Sequence, residues 1–167
     1  AKNPYETDKF IRRSYKGGIA EVYKPYLKEG YCYDANSLYP FIMKESKFPI
    51  GKGKFVNGKD IDINNFIGFI ECEIEVDKEY NFLTYRCEKR GLITPVGKWI
   101  DVYYYTEILK AIELGYKVKF LKGFKYESEG YMFREFVTDM YNKRINSKSS
   151  SMNNIAKLIL NSLYGRF

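Results

Sequence analysis

Residues 31–40 read YCYDANSLYP: one acid follows a run of aromatics, then come a turn, a short apolar stretch and a proline. The alternation predicts a short strand over Tyr31–Asp34, with Cys32 and Asp34 on one face and Tyr31 and Tyr33 on the other. Asp34 then falls at a strand end, where a carboxylate is well placed to hold a metal ion. A helix is expected over Ser37–Lys44, with Asn36 as its N-cap. Pro40 lies in the first turn, where its missing donor does least harm. The backbone N–H groups of Ser37, Leu38 and Tyr39 would then be left to face an anion. A carboxylate beside an anion cradle is what a magnesium–triphosphate complex needs. A strand, an Asx turn and a short helix without any chemistry would explain the same letters.

A second candidate lies at residues 152–167, MNNIAKLILNSLYGRF, which have a helical period. Asn154, Lys157, Asn161 and Tyr164 recur at i, i+3, i+7 and i+10 along one stripe, with Ile155, Leu158, Ile159 and Ser162 on the other side. A lysine there can neutralise phosphate, and an aromatic one or two turns on can stack under a base. Gly165 removes a side chain next to that aromatic, so backbone or ligand can approach. An ordinary exposed helix face has the same pattern.

Several elements are expected around these groups. Residues 1–14 are polar and charged, and Tyr15-Lys16-Gly17-Gly18 marks a flexible turn. GKGKFVNGKD (51–60) reads as a Gly/Lys-rich connection. FIGFIECEIEV (66–76) predicts a strand with Ile70, Cys72, Ile74 and Val76 on one face and Glu71, Glu73 and Glu75 on the other. LTYRCEK (83–89) and GLITP (91–95) predict further strands, TPVGKW a turn, and YTEILKAIELG (105–115) an amphipathic helix closed by Gly115. YKVKFLKGFKYE (116–127) reads as another strand pair. Residues 129–146 predict a helix with Met132, Phe133, Phe136, Val137, Met140 and Tyr141 on one stripe. SKSSS then breaks the pattern, and so short a link makes the last two helices antiparallel neighbours. Asp60 and Asp62 follow NGK in a polar loop and read as a solvated turn rather than a metal pair. The class is α+β.

The chain has 167 residues, a net charge of +7 and 18% aromatics. A basic, Tyr-rich surface suits a polyanion with stackable bases, although AT-rich codons would give the same composition. Cys32, Cys72 and Cys87 lack metal-ligand spacing, and with no histidine a zinc site is not expected. They read as reduced core residues of an intracellular protein. No apolar run approaches the roughly 20 residues of a membrane span. The chain starts on Ala1 and stops on Phe167 inside an apolar helical pattern, so a segment of a longer protein is expected.

Taken in order, Asp34-x-x-Ser37-Leu38-Tyr39-Pro40 and Lys157-x-x-x-Asn161-Ser162-x-Tyr164-Gly165 resemble the two nucleotide-binding motifs of family-B DNA polymerases. Their separation is similar to that in the protein-primed branch of phages and linear mitochondrial plasmids, closest to the organellar plasmid type. Tyr15-Lys16-Gly17-Gly18 resembles that branch's Tyr-x-Gly-Gly motif, which joins its exonuclease and polymerase domains. The resemblance implies three parts. Residues 1–47 would be the connector and palm edge, 48–129 the α+β insertion of the terminal-protein region, and 130–167 an antiparallel two-helix fingers element.

By the same resemblance, Asp34 and the backbone carbonyl of Ala35 would bind metal, two Mg²⁺ ions serving the complete enzyme. Ser37, Leu38 and Tyr39 would hold the incoming dNTP, and the Tyr39 ring would exclude a 2′-hydroxyl. Lys157 would contact the triphosphate. Asn161 and Tyr164 would border the nascent base pair, and Gly165 would leave room for the template. Tyr15, Gly17 and Gly18 would touch the template strand. Asn153 stands where the family usually has another lysine, and Lys143, Arg144 or Lys148 would supply the charge instead. The family's Tyr-x-Asp-Thr-Asp motif, with its second metal carboxylate, is not in these residues, so the chain alone is not expected to polymerise. The implied partners are template and primer DNA, dNTP and a priming terminal protein. The implied setting is a mitochondrion or a virus-infected cell, with no membrane partner. The competing readings are a catalytically dead relic that binds DNA or protein, and a generic single-strand binder.

Overall fold

The computed structural model describes residues 4–20, 22, 24–147 and 149–164. In chain order these form α1 (Pro4–Arg12), α2 (Leu38–Glu45), β1 (Phe48–Asn57), β2 (Gly68–Val76), β3 (Tyr85–Cys87), β4 (Gly91–Ile93), β5 (Gly97–Tyr104), α3 (Tyr105–Leu114), β6 (Lys117–Gly130), α4 (Arg134–Asn146) and α5 (Ser150–Tyr164). The class is α+β, as the pattern predicts. Two units pack separately: residues 1–23 with 51–127, and residues 24–50 with 128–167. No helix among the described residues is long and apolar enough to cross a membrane.

The first unit is built on a sheet of order β1-β6-β2-β5, in which β2 runs antiparallel to both neighbours. Alternation in β2 works as expected: Ile70, Cys72 and Ile74 are fully buried, while Glu71, Glu73 and Glu75 take the opposite face. The buried set meets Trp99 and Tyr103 of β5 and Ile108 and Ala111 of α3. On the other face Phe69 and Val102 meet Phe10 of α1, Phe55 of β1, and Phe124 and Tyr126 of β6. One face of β2 and β5 is thus buried along its length, and the other only around Phe69 and Val102. β3 and β4 form a separate antiparallel hairpin.

Local pattern misleads at several places, each for a physical reason. WIDVYY belongs to β5 rather than to a turn and an unassigned link. Its exposed position carries Ile100 and its inward face carries Asp101, which erases the polar alternation that marks a half-exposed strand. GKGKFVN is most of a strand, β1, and residues 117–130 are one strand rather than a pair. Gly123 looks like a turn residue, yet it sits mid-strand because a Cβ there would stand 2.8 Å from Phe66 Cζ. Between Glu71–Lys122 and Cys72–Phe120 the pairing slips, leaving Leu121 as the extra residue of a β-bulge. Residues 4–12 form a helix that their polar composition hides. Cys32 is exposed rather than a core residue, whereas Cys72 is buried, and burial pushes its thiol up.

The second unit joins α2, α4 and α5 through one apolar cluster of Met43, Val137 and Leu160, with Phe48, Phe133, Met140 and Leu163 around it. The Phe48 and Phe133 rings meet edge to face at 5.0 Å. Of the expected stripe on α4, only Val137 is fully buried, while Met132, Phe136 and Tyr141 are exposed.

α3 begins where Glu107 turns back to accept the Tyr104 N–H at 3.0 Å, and it ends on Gly115 in the left-handed region (φ 99°). Desolvation holds the Glu107 carboxyl above its ordinary value, opposed by the Tyr104 hydrogen bond and by Lys16. A raised carboxylate binds its proton more tightly in the folded state. Its contribution is therefore fully present below the unfolded value, near pH 4.3, and fades as pH rises through the folded one. Urea unfolding across that window is expected to show stability falling with pH, and Glu107→Gln, which keeps the acceptor, is expected to remove that component of the fall.

Candidate functional site

The acid of the opening motif does not end a paired strand. Residues 31–35 carry no regular secondary structure, and no described strand pairs with them. Tyr31 and Tyr33 are 90% and 88% exposed, so their alternation has no sheet to express it. Asp34 is exposed and has no ion-pair partner among the described residues. Next comes a turn through Asn36 and Ser37, and Ser37 rather than Asn36 takes the N-cap position of α2, with no side-chain capping bond. Ser37 adopts a left-handed conformation (φ 53°, ψ 42°), which costs a non-glycine residue roughly 1–2 kcal/mol. Its carbonyl accepts the Phe41 N–H at 2.9 Å, the first i to i+4 bond of the helix. The N–H groups of Leu38 and Tyr39 precede that bond, and Pro40 contributes none, so this helix end is a site of positive potential.

α5 has three faces rather than two. Ala156 and Leu160 are buried, with Leu163 beside them, and this stripe packs toward Met43 and Val137. Asn154, Lys157 and Asn161 are thereby left exposed along a second stripe. Ile155, Leu158 and Ile159 are exposed as well, on a third. Tyr164 is described only as the last residue of α5, and Gly165 lies outside the described residues. Since Met43 and Leu160 share one cluster, the two motif helices are neighbours, with their polar groups outside the seam.

Beside the start of α2 a cleft of about 580 Å³ opens between α2 and α4. Asn36, Ser37 and Lys44 line it from one side, and Thr138, Tyr141 and Arg144 from the other. Of the three cations left open by sequence, Lys143 is spent on Asp139 at 2.7 Å, and Lys148 lies outside the described residues. Arg144 faces the cleft. Asn153, one turn before Lys157, is partly buried.

The Tyr15–Gly18 turn belongs to the other unit. Tyr15 is 60% exposed, and a Cβ added at Gly17 or Gly18 would meet nothing within 4 Å. Gly17 has φ +80°, a conformation that favours glycine. Lys16 is buried, paired with Asp101 and bonded to the Arg13 carbonyl at 2.7 Å. Sequence reading missed this pair. The available signal was Asp101 alternating with Trp99 and Tyr103, a carboxylate on an apolar face that calls for a buried cation.

Among the described residues no group of three or more Cys, Asp or Glu side chains could hold a metal ion. Asp62 accepts the Asn64 N–H at 3.2 Å and the Asn65 amide at 2.6 Å, capping a short turn as expected. Asp34 with the neighbouring Ala35 carbonyl therefore offers one carboxylate and one carbonyl, part of the oxygen set a hard cation takes.

Comparison with known proteins places the chain in a family. Residues 4–167 match the family described as DNA polymerase type B, organellar and viral. A probable DNA polymerase of Neurospora intermedia is 40% identical over 171 residues, covering 94% of this chain and 18% of that protein. One from Podospora anserina is 37% identical over 159 residues, covering 94% and 13%. Phi29 DNA polymerase solved with primer-template DNA and incoming nucleotide is similar at a TM-score of 0.68 and 27% identity, covering 97% of this chain and 31% of that one. The chain thus spans less than a third of each of these proteins. It belongs to the organellar and viral type-B DNA polymerase family.

Proposed function

We propose that this chain is the part of a protein-primed DNA polymerase that holds the incoming dNTP and one carboxylate of the metal site. In this reading residues 1–47 are connector and palm edge, 48–129 the terminal-protein-region insertion, and 130–167 the fingers. The observation that carries the reading is the exposed Asp34, with no ion-pair partner among the described residues, just before α2, a helix that shares its buried seam with the helix bearing Lys157. The names of the relatives support DNA synthesis, and the phi29 complex supports DNA and nucleotide as partners.

Asp34 and the Ala35 carbonyl would hold Mg²⁺, which when bound activates a hydroxyl and stabilises the pyrophosphate leaving group. The N–H groups of Leu38 and Tyr39 receive the triphosphate at the positive end of α2, with Ser37 beside them. Lys157 adds a point charge, and Arg144, facing the neighbouring cleft, takes the part of the cation missing at Asn153. The Tyr39 ring, half exposed, lies under the sugar and rejects a 2′-hydroxyl. Asn161 and Tyr164 border the new base pair, and Gly165, Tyr15, Gly17 and Gly18 face the template. The priming protein, a linear plasmid or organellar genome, and a mitochondrial or viral setting complete the reading.

In the complete polymerase, Asp34→Asn is expected to lower primer extension at least about 100-fold while sparing DNA binding, and the segment alone to extend no primer. Near-normal synthesis by the variant would remove Asp34 from the metal site. Tyr39→Val is expected to raise ribonucleotide incorporation, and unchanged sugar selectivity would reduce Tyr39 to packing. Arg144→Ala is expected to raise the KM for dNTP about tenfold, as for any lost phosphate contact of about 1.4 kcal/mol. Lys143→Ala, which removes only an exposed pair, is expected to leave it unchanged. Equal effects of the two would refute the role of Arg144.

A further inference from the structure

Within the Tyr15–Gly18 turn, one residue points inward while its neighbours stay open. Lys16 is 9% exposed and Tyr15 is 60% exposed, and no described residue lies within 4 Å of a Cβ added at Gly17 or Gly18. Both ends of residue 16 are tied down. Its ammonium bonds to the Asp101 carboxylate and to the Arg13 carbonyl at 2.7 Å, and lies 5.1 Å from the Tyr103 ring centre. Its own carbonyl accepts from Arg86 Nη2 at 3.0 Å. Asp101 is fixed in turn, because its Oδ1 accepts the Val102 N–H at 2.8 Å. Just upstream, Arg13 reaches Glu71 at 2.5 Å and Asp101 at 3.7 Å.

A buried ion pair seldom adds stability over apolar residues of the same shape, but it fixes geometry and leaves a costly charge when one partner is lost. The glycines complement it. A left-handed φ accounts for Gly17, whereas no described residue lies within 4 Å of a Cβ at Gly18, whose bare backbone leaves room for close approach by a partner.

We propose that Lys16 and Asp101 are positioning residues: their buried pair ties the Tyr15–Gly18 turn to β5 and holds Tyr15 and the bare glycine backbone in the pose that meets a template strand. This rests on the template reading of that turn given above.

The test uses the complete polymerase carrying Lys16→Met together with Asp101→Asn. This double variant buries no unpaired charge and keeps an acceptor for the Val102 N–H. Its unfolding midpoint, kcat and KM for dNTP are expected near wild type, while its KM for primer–template rises about tenfold. Lys16→Arg, which keeps the charge, is expected to stay within about twofold of wild type. A wild-type KM for primer–template in the double variant overturns the proposal. Should the double variant not fold, Asp101→Glu, which keeps the charge but displaces it by one methylene, decides: a raised primer–template KM with unchanged dNTP KM supports the tie, and an unchanged one overturns it. Tyr15→Ala and Gly18→Ala test the parent reading separately. If both leave template affinity intact, the template reading fails and the proposal with it. If they weaken it while the double variant does not, only the tie fails.

Discussion

Met43, Val137 and Leu160 come from three helices and form one cluster from which water is almost wholly excluded. That seam decides which faces of α2 and α5 turn outward. Burying Met43 and Pro40 turns Leu38 and Tyr39 outward at the start of α2. Burial of Ala156 and Leu160 likewise turns Lys157 and Asn161 outward on α5. The hydrophobic term has no direction of its own, but on a helix with 3.6 residues per turn, burying one stripe fixes the aim of the others.

The sheet unit solves a different problem. The buried face of β2 and β5 leaves little room for polar side chains, and the one acid turned inward from β5 is answered by a lysine far away in sequence. The glutamates on the other face of β2 meet cations at its rims: Arg13 with Glu71, Lys98 with Glu73, Lys117 with Glu75. Largely exposed pairs of this kind contribute little to stability. They match the strand's surface to its neighbours, whereas the Lys16–Asp101 pair acts where water cannot replace it.

Strain and exposure gather at the same place. Ser37 holds a left-handed backbone without the freedom of glycine, and the segment before it has no sheet partner among the described residues. Strained backbone persists only where the surroundings impose it, and functional turns are where it collects. Here the packed body of α2 lies on one side and an exposed carboxylate on the other.

Much of this was legible in the residues alone. The alternation of β2, α3 with its closing Gly115, the two last helices and the order of the three motifs depend on chain geometry within a few residues, so sequence could state them. Sequence could not tell that Tyr31–Asp34 would pair with no strand among the described residues, that residues 117–130 would run unbroken through Gly123 with a bulge at Leu121, or that WIDVYY would lie in the edge strand of the described sheet. Nor could it place Arg144 on the cleft and Lys143 against Asp139, decide which side of α5 would be buried, or join Lys16 to Asp101. Each of these depends on a partner distant in the chain, and side-chain period says only which residues share a face, not what that face will meet. Sequence determined the chemistry available and its order; tertiary packing decided which of those groups face solvent and which lysine is held beneath them.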